Sequence, residues 1–183
     1  MNKAKIFTAT LTLAILLAVY LPSRPAVANN ETQMKELKAA SDRGDYAKVL
    51  EIVQPLAEAG DDKFQFILGA MYAEGKGVAQ DYKKAREWFQ KAAAAGNAAA
   101  QNYLGAIYAK GQGVEQDYAK AREWYEKAAE AGNANAKFNL GSFYYYGRGV
   151  KRDYAKAREW FQKAAAQGHK EAERALQIMK DKN

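Results

Sequence analysis

The chain has 183 residues, with 28 Lys and Arg against 21 Asp and Glu, one His, 12 Tyr and no Cys, for a net charge of +7. Without cysteine there is neither a disulfide nor a thiolate metal site, so packing alone must hold the fold. Removing residues 1–28 takes away Lys3, Lys5 and Arg24 and no acid, so the charge falls from +7 to +4; an excess that small favours solubility and gives little pull toward nucleic acid.

Residues 1–28 read as a secretory signal peptide. Lys3 and Lys5 give a basic start, Ile6 to Leu21 is an uncharged apolar run, and Ala26-Val27-Ala28 is a small-x-small cleavage pattern. The run of 16 residues is short of the roughly 20 that span a bilayer as a helix. Arg24, so close to the cleavage point, keeps an uncleaved membrane anchor as the alternative. On the leading reading the mature chain starts at Asn29, is periplasmic or secreted, and makes no membrane insertion after cleavage.

One phrase then recurs at a step of 36 residues: DYAKVLEIVQPLAEAGD from Asp45, DYKKAREWFQKAAAAGN from Asp81, DYAKAREWYEKAAEAGN from Asp117 and DYAKAREWFQKAAAQGH from Asp153. A fixed period of this length is the mark of stacked helix pairs. The first copy is worn. Ile52 stands where the others have Trp, and Pro55 stands where they have Lys and should kink the helix. Together with ETQMKELKAASDRG ahead of it, this copy makes residues 29–61 an N-terminal capping helix pair.

The units 62–97, 98–133 and 134–169 each predict two helices. In the second helix Tyr82, Ala85, Trp88, Phe89, Ala92 and Ala93 share one face at spacings of three, four and seven, with Lys, Arg, Glu and Gln on the other. Asp81, Asp117 and Asp153 are placed to cap its start, and Gly96, Gly132 and Gly168 to stop it. Glu87–Lys91 and its copies Glu123–Lys127 and Glu159–Lys163 form i, i+4 pairs on a solvated face. In the first helix Leu68, Leu104 and Leu140 recur, each followed by Gly69, Gly105 or Gly141 and then by Tyr72, Tyr108 or Tyr144. Glycine inside a helix costs about 1 kcal/mol against alanine, so its return at one register points to a neighbouring helix backbone passing close. The segments GKGVAQ, GQGVEQ and GRGVKR join the two helices as turns; the spacing from Gly69 and the absence of Ser or Thr after GK exclude a phosphate-binding loop. At the end, KEAERALQIMKDKN keeps Ala172 and Leu176 but carries Gln177 for the glycine and Lys180 for the tyrosine, which makes residues 170–183 a C-terminal capping helix. The fold class is all-α, a solenoid of two-helix repeats with about nine helices after the signal peptide.

A search for chemistry finds little. His169 is the only histidine and stands in a turn, at the register of Asn97 and Asn133. Of Ser23, Ser41 and Ser142, neither mature serine begins a Ser-x-x-Lys or lies in a Gly-x-Ser-x-Gly. The carboxylates sit on polar helix faces or at caps, where no apolar pocket raises a pKa. The sequence therefore predicts no enzyme, no catalytic residue, no metal and no cofactor.

The unit at 98–133 matches the pattern A..LG..Y..G.GV..D..KA..W...AA..G through Ala100, Leu104, Gly105, Tyr108, Gly111, Gly113, Val114, Asp117, Lys120, Ala121, Trp124, Ala128, Ala129 and Gly132. On these residues the chain resembles the Sel-one-like repeat family, a class related to tetratricopeptide repeats. The unit at 62–97 departs once, with Phe64 at the leading alanine position. The resemblance implies a right-handed α/α superhelical solenoid whose first helices line a concave surface. It also implies an adaptor role in cell-envelope assembly or, for some exported bacterial members, in contact with or invasion of host cells. Cysteine-rich members have been called β-lactam-binding or cell-wall enzymes; that alternative is disfavoured here by the missing cysteines and nucleophile motif.

Positions identical between repeats serve the stacking, while those that differ are free to serve a ligand. On the first helices the differing set includes Phe66, Ile67 and Ala70, then Asn102, Tyr103 and Ala106, then Phe138, Asn139, Ser142, Tyr145 and Tyr146. Set side by side they predict a groove of aromatic, amide and small residues for a protein or peptide partner. For Tyr145 and Tyr146 the alternative is packing against the C-terminal helix. The chain is expected to act as a monomer.

Overall fold

The computed structural model describes residues 30–180. The expected signal peptide lies outside the described residues. The chain divides into two compact units, Met1–Arg43 and Gly44–Asn183. The first contains α1 (Asn30–Asp42). The second contains α2 (Tyr46–Glu58), α3 (Asp62–Glu74), α4 (Tyr82–Ala94), α5 (Ala98–Lys110), α6 (Tyr118–Glu130), α7 (Ala134–Tyr146), α8 (Tyr154–Ala165) and α9 (Lys170–Lys180). Among the described residues there are these helices and no strand. The two helices of the expected N-terminal pair, α1 and α2, fall in different units.

Local chemistry sets the helix ends. The carboxylates of Asp81, Asp117 and Asp153 accept from the backbone N–H of Lys84, Lys120 and Lys156 at 3.0, 2.9 and 3.0 Å, satisfying donors that a helix start leaves free. Each first helix ends on a glycine at left-handed φ, Gly75, Gly111 or Gly147, whose N–H bonds back to Met71, Ile107 or Phe143. The chain then folds back so that the N–H of Asp81, Asp117 and Asp153 reaches the carbonyl of Tyr72, Tyr108 and Tyr144. Pro55 lies inside α2, which continues through it to Glu58.

Within the second unit the substantial contacts run between consecutive helices, as in a solenoid. One core recurs in every module. Phe89, Tyr125 and Phe161 of the second helices are buried with Ala85, Ala121 and Ala157, against Leu68, Leu104 and Leu140 of the first helices. The helical glycines make room for these rings. A Cβ on Gly69, Gly105 or Gly141 would stand 2.8, 2.6 or 2.6 Å from the ring of Phe89, Tyr125 or Phe161. What passes close is thus an aromatic side chain of the partner helix rather than its backbone, apart from the Ala85 carbonyl beside Gly69 at 3.2 Å.

The tryptophans do a different job. Trp124 packs on the core shared by α4 and α5, Trp160 on the core shared by α6 and α7, and both stay half-buried. The nitrogens of Lys91, Lys127 and Lys163 lie 3.9, 4.5 and 4.4 Å from the centres of the Trp88, Trp124 and Trp160 rings. The expected Glu–Lys pairs are not among the ion pairs of the described residues. A desolvated indole face one turn away competes for the ammonium better than a solvated carboxylate does.

Candidate functional site

Among the described residues no group of His, Asp and Glu could hold a metal, and no helix is long and apolar enough to cross a membrane. Two outer clefts lie one period apart, of about 480 and 720 Å³. Arg86, Glu115, Asp117 and Lys120 balance in the first; Arg122, Lys151, Arg152 and Lys156 outweigh Asp153 in the second. Both are polar, and neither offers an apolar floor for a buried side chain.

The first-helix stripe is organised differently, as a series of rungs. A residue of one first helix meets the residue 37 positions on, in the next first helix. The Phe66 ring stands edge-on to Tyr103, with centroids 5.4 Å apart and planes at 74°. Asn139 donates from Nδ2 to Oδ1 of Asn102 at 3.0 Å. The third rung would pair Phe138 with Ala175, a methyl group where the earlier rungs have a ring or an amide.

That last rung is open. A cavity of about 210 Å³ has Phe138 and Phe161 on its floor, Ser142, Tyr145 and Tyr146 along α7, and Glu171, Arg174, Ala175 and Ile178 from α9. Phe138 is also stacked by His169, at 4.6 Å and 16°. His169 also caps α9, its Nδ1 accepting from the N–H of Ala172 at 3.3 Å, with Glu171 at 3.3 Å beside it. The Asn97 and Asn133 side chains cap α5 and α7 in the same way, so the turn reading of this histidine stands with a ring contact added.

The expected groove residues fall into three groups. Phe138, Ser142, Tyr145 and Tyr146 come together around the cavity. Tyr103 and Tyr146 are exposed, at 37% and 63%, while Phe66, Ile67, Ala70, Ala106 and Asn139 are half-buried. Asn102 departs from the expectation of an open position: it is 9% exposed and its oxygen is taken by Asn139. Gln65 and Gln101, which also differ from their copy Lys137, are buried and donate to the carbonyls of Ala57 and Ala93; their variation answers to stacking. Tyr145 packs against the core beneath α9, which realises the alternative for that ring, and also meets Tyr146 edge-on at 4.9 Å. Sequence reasoning missed Phe161, Glu171, Arg174, Ala175 and Ile178. Continuing the 36-residue register past 169 aligns Arg174 with Phe138 and Ala175 with Asn139, and would have found two of them.

The profile of the Sel1 repeat family matches residues 63–97, 98–133 and 134–169. No curated protein matches the chain. Among solved structures, a protective antigen present in uropathogenic Escherichia coli strains and displaying an SLR fold is similar at 34% identity with a TM-score of 0.72. The match covers 83% of this chain but only 34% of the antigen. A Sel1 repeat protein from Oxalobacter formigenes is similar at 40% identity and TM-score 0.63, over 72% of this chain and 98% of its own. Helicobacter pylori cysteine rich protein B follows at 25% identity and TM-score 0.52, over 75% and 92%. Proteins built on this repeat fold are typically non-catalytic scaffolds for protein interaction. With three consecutive repeats matched, and the leucine, glycine and alanine registers of the repeat buried in each of them, the chain belongs to the Sel1 repeat family.

Proposed function

We propose that the chain is an exported, non-catalytic adaptor, monomeric in the periplasm or outside the cell, that binds a protein or peptide partner in its first-helix groove. One observation carries this reading. The first-helix residues that vary between repeats end in an open cavity with an aromatic floor, flanked by exposed Tyr146. A stripe serving only the stack would have closed on the last helix as it does at Phe66 and Tyr103. Export rests on the signal-like pattern of residues 1–28, with its basic start, apolar run and small-x-small end. The role is assembly at the cell envelope or contact with a host cell. For the second version, the likeness to an antigen of uropathogenic strains is the support.

Crosslinking in intact cells that make the full chain, followed by mass spectrometry, tests partner and location together. Tyr103→Ser with Tyr146→Ser, which removes the two exposed rings of the stripe, is expected to abolish capture with helical circular dichroism retained. Lys151→Ser in the outer cleft is expected to leave capture intact. Undiminished capture by the double variant would overturn the groove.

A further inference from the structure

The first module shows what the open rung is built to take. Phe66 and Phe89 lie 5.7 Å apart with planes at 41°, and Tyr103 covers both, at 5.4 Å from Phe66 and 5.2 Å from Phe89. Two modules later Phe138 and Phe161 repeat the pair at 5.5 Å and the same 41°. No third ring covers both, because the residue in the Tyr103 register on α9 is Ala175, and the His169 ring stacks on Phe138 alone. The space left, about 210 Å³, exceeds the roughly 150 Å³ of an apolar cavity that accepts benzene.

We infer that the Phe138–Phe161 floor receives one aromatic side chain from a partner polypeptide, seated as Tyr103 is seated within the protein, with a carboxylate of the same segment on Arg174. The offset, tilted packing that aromatic quadrupoles prefer is already set by the floor rings, so the guest ring needs no rearrangement. Tyr145 stands where the earlier modules have Ala73 and Ala109, and walls the space on the α7 side. At the rim, Arg174 has no ion-pair partner among the described residues, and the Glu171 carboxylate lines the same space beside His169, whose Nδ1 is taken by the Ala172 N–H. The free guanidinium selects an acidic group beside the ring, and its planar fork suits a carboxylate. The inference rests on the groove reading above and names the partner chemistry of one end of it.

Titration of the labelled full chain with N-acetyl-phenylalanine, followed by amide NMR shifts, tests this. Shifts are expected to concentrate on Ser142, Ala175 and Ile178. The carboxamide form, N-acetyl-phenylalaninamide, is expected to bind about threefold more weakly, the scale of one solvent-exposed charge pair, and Arg174→Gln is expected to erase that difference. Ala175→Tyr supplies the missing ring from within; it is expected to raise Tm and to abolish the shifts. Shifts that map elsewhere, or that persist in Ala175→Tyr, would overturn the inference. Crosslinked capture separates the two readings: if Ala175→Tyr fails to bind the probe but still captures partner through Tyr103 and Tyr146, the groove stands without this pocket. Capture lost in Ala175→Tyr supports both.

Discussion

At the residue scale the deciding contact is glycine against ring. The Gly105 Cα hydrogen faces Tyr125, and a methyl there would meet three ring atoms at 2.6, 2.6 and 3.0 Å. The ring is buried and cannot swing away without opening the core. Gly105→Ala gains about 1 kcal/mol in helix propensity and loses about 1–3 kcal/mol to overpacking. A lower Tm is therefore expected in thermal melts followed by circular dichroism, and a raised Tm would show that the ring relaxes. The glycine register was legible in the sequence, because its cost repeats, but the identity of the intruder was not. An aromatic in the second helix and a backbone in the second helix leave the same trace in the first.

At the element scale the caps were the most legible feature, since an N-cap needs only one acceptor at one position. The Asp117 carboxylate accepts from the N–H of Lys120 at 2.9 Å and lies 3.3 Å from its Nζ. The Lys120 N–H above all holds the Asp117 carboxyl below the usual carboxylate range, with help from the Lys120 side chain, against an opposing effect of burial. A depressed folded pKa means stabilisation that is present above the unfolded value of about 3.9 and is lost as pH falls through the folded one. Asp117→Asn keeps an acceptor oxygen but does not titrate. The Tm advantage of the native protein over this variant is expected at neutral pH and should shrink as pH falls below the unfolded value of about 3.9 and through the folded one. A pH-independent difference would refute the ionic part of the cap. The side-chain pairings of these same helices were less legible. Spacing alone gave Lys91, Lys127 and Lys163 to glutamates, whereas the structure gives them to tryptophan faces, because partners three and four residues back are both within reach and are separated by their solvation.

At the scale of the whole repeat array, the period fixed which helices stack, while the rungs between first helices depend on pairs that no single repeat contains. Phe66 with Tyr103 and Asn102 with Asn139 differ in chemistry at one register, so modules are not interchangeable even though their cores are. Deleting residues 98–133 would keep the register and set Phe66 against Asn139. The shortened chain is expected to remain helical with a lower Tm, as nearest-neighbour coupling requires. Adding Asn139→Tyr to the deletion is expected to recover about 0.5–1.5 kcal/mol, the worth of an aromatic pair. A Tm unchanged or lower on adding that tyrosine would show that this rung contributes nothing.

The turn glycines have a consequence for how this surface can change over time. Gly77, Gly113 and Gly149 hold left-handed φ and press onto Tyr46, Tyr82 and Tyr118 at the head of the preceding second helix; an added Cβ would come within 2.5, 2.8 and 2.6 Å of them. The pitch from one module to the next is therefore gauged partly by bare main chain rather than by groove side chains. Groove side chains can be exchanged one at a time without disturbing that gauge, so the inner wall is free to follow a drifting partner while the frame that presents it keeps its spacing.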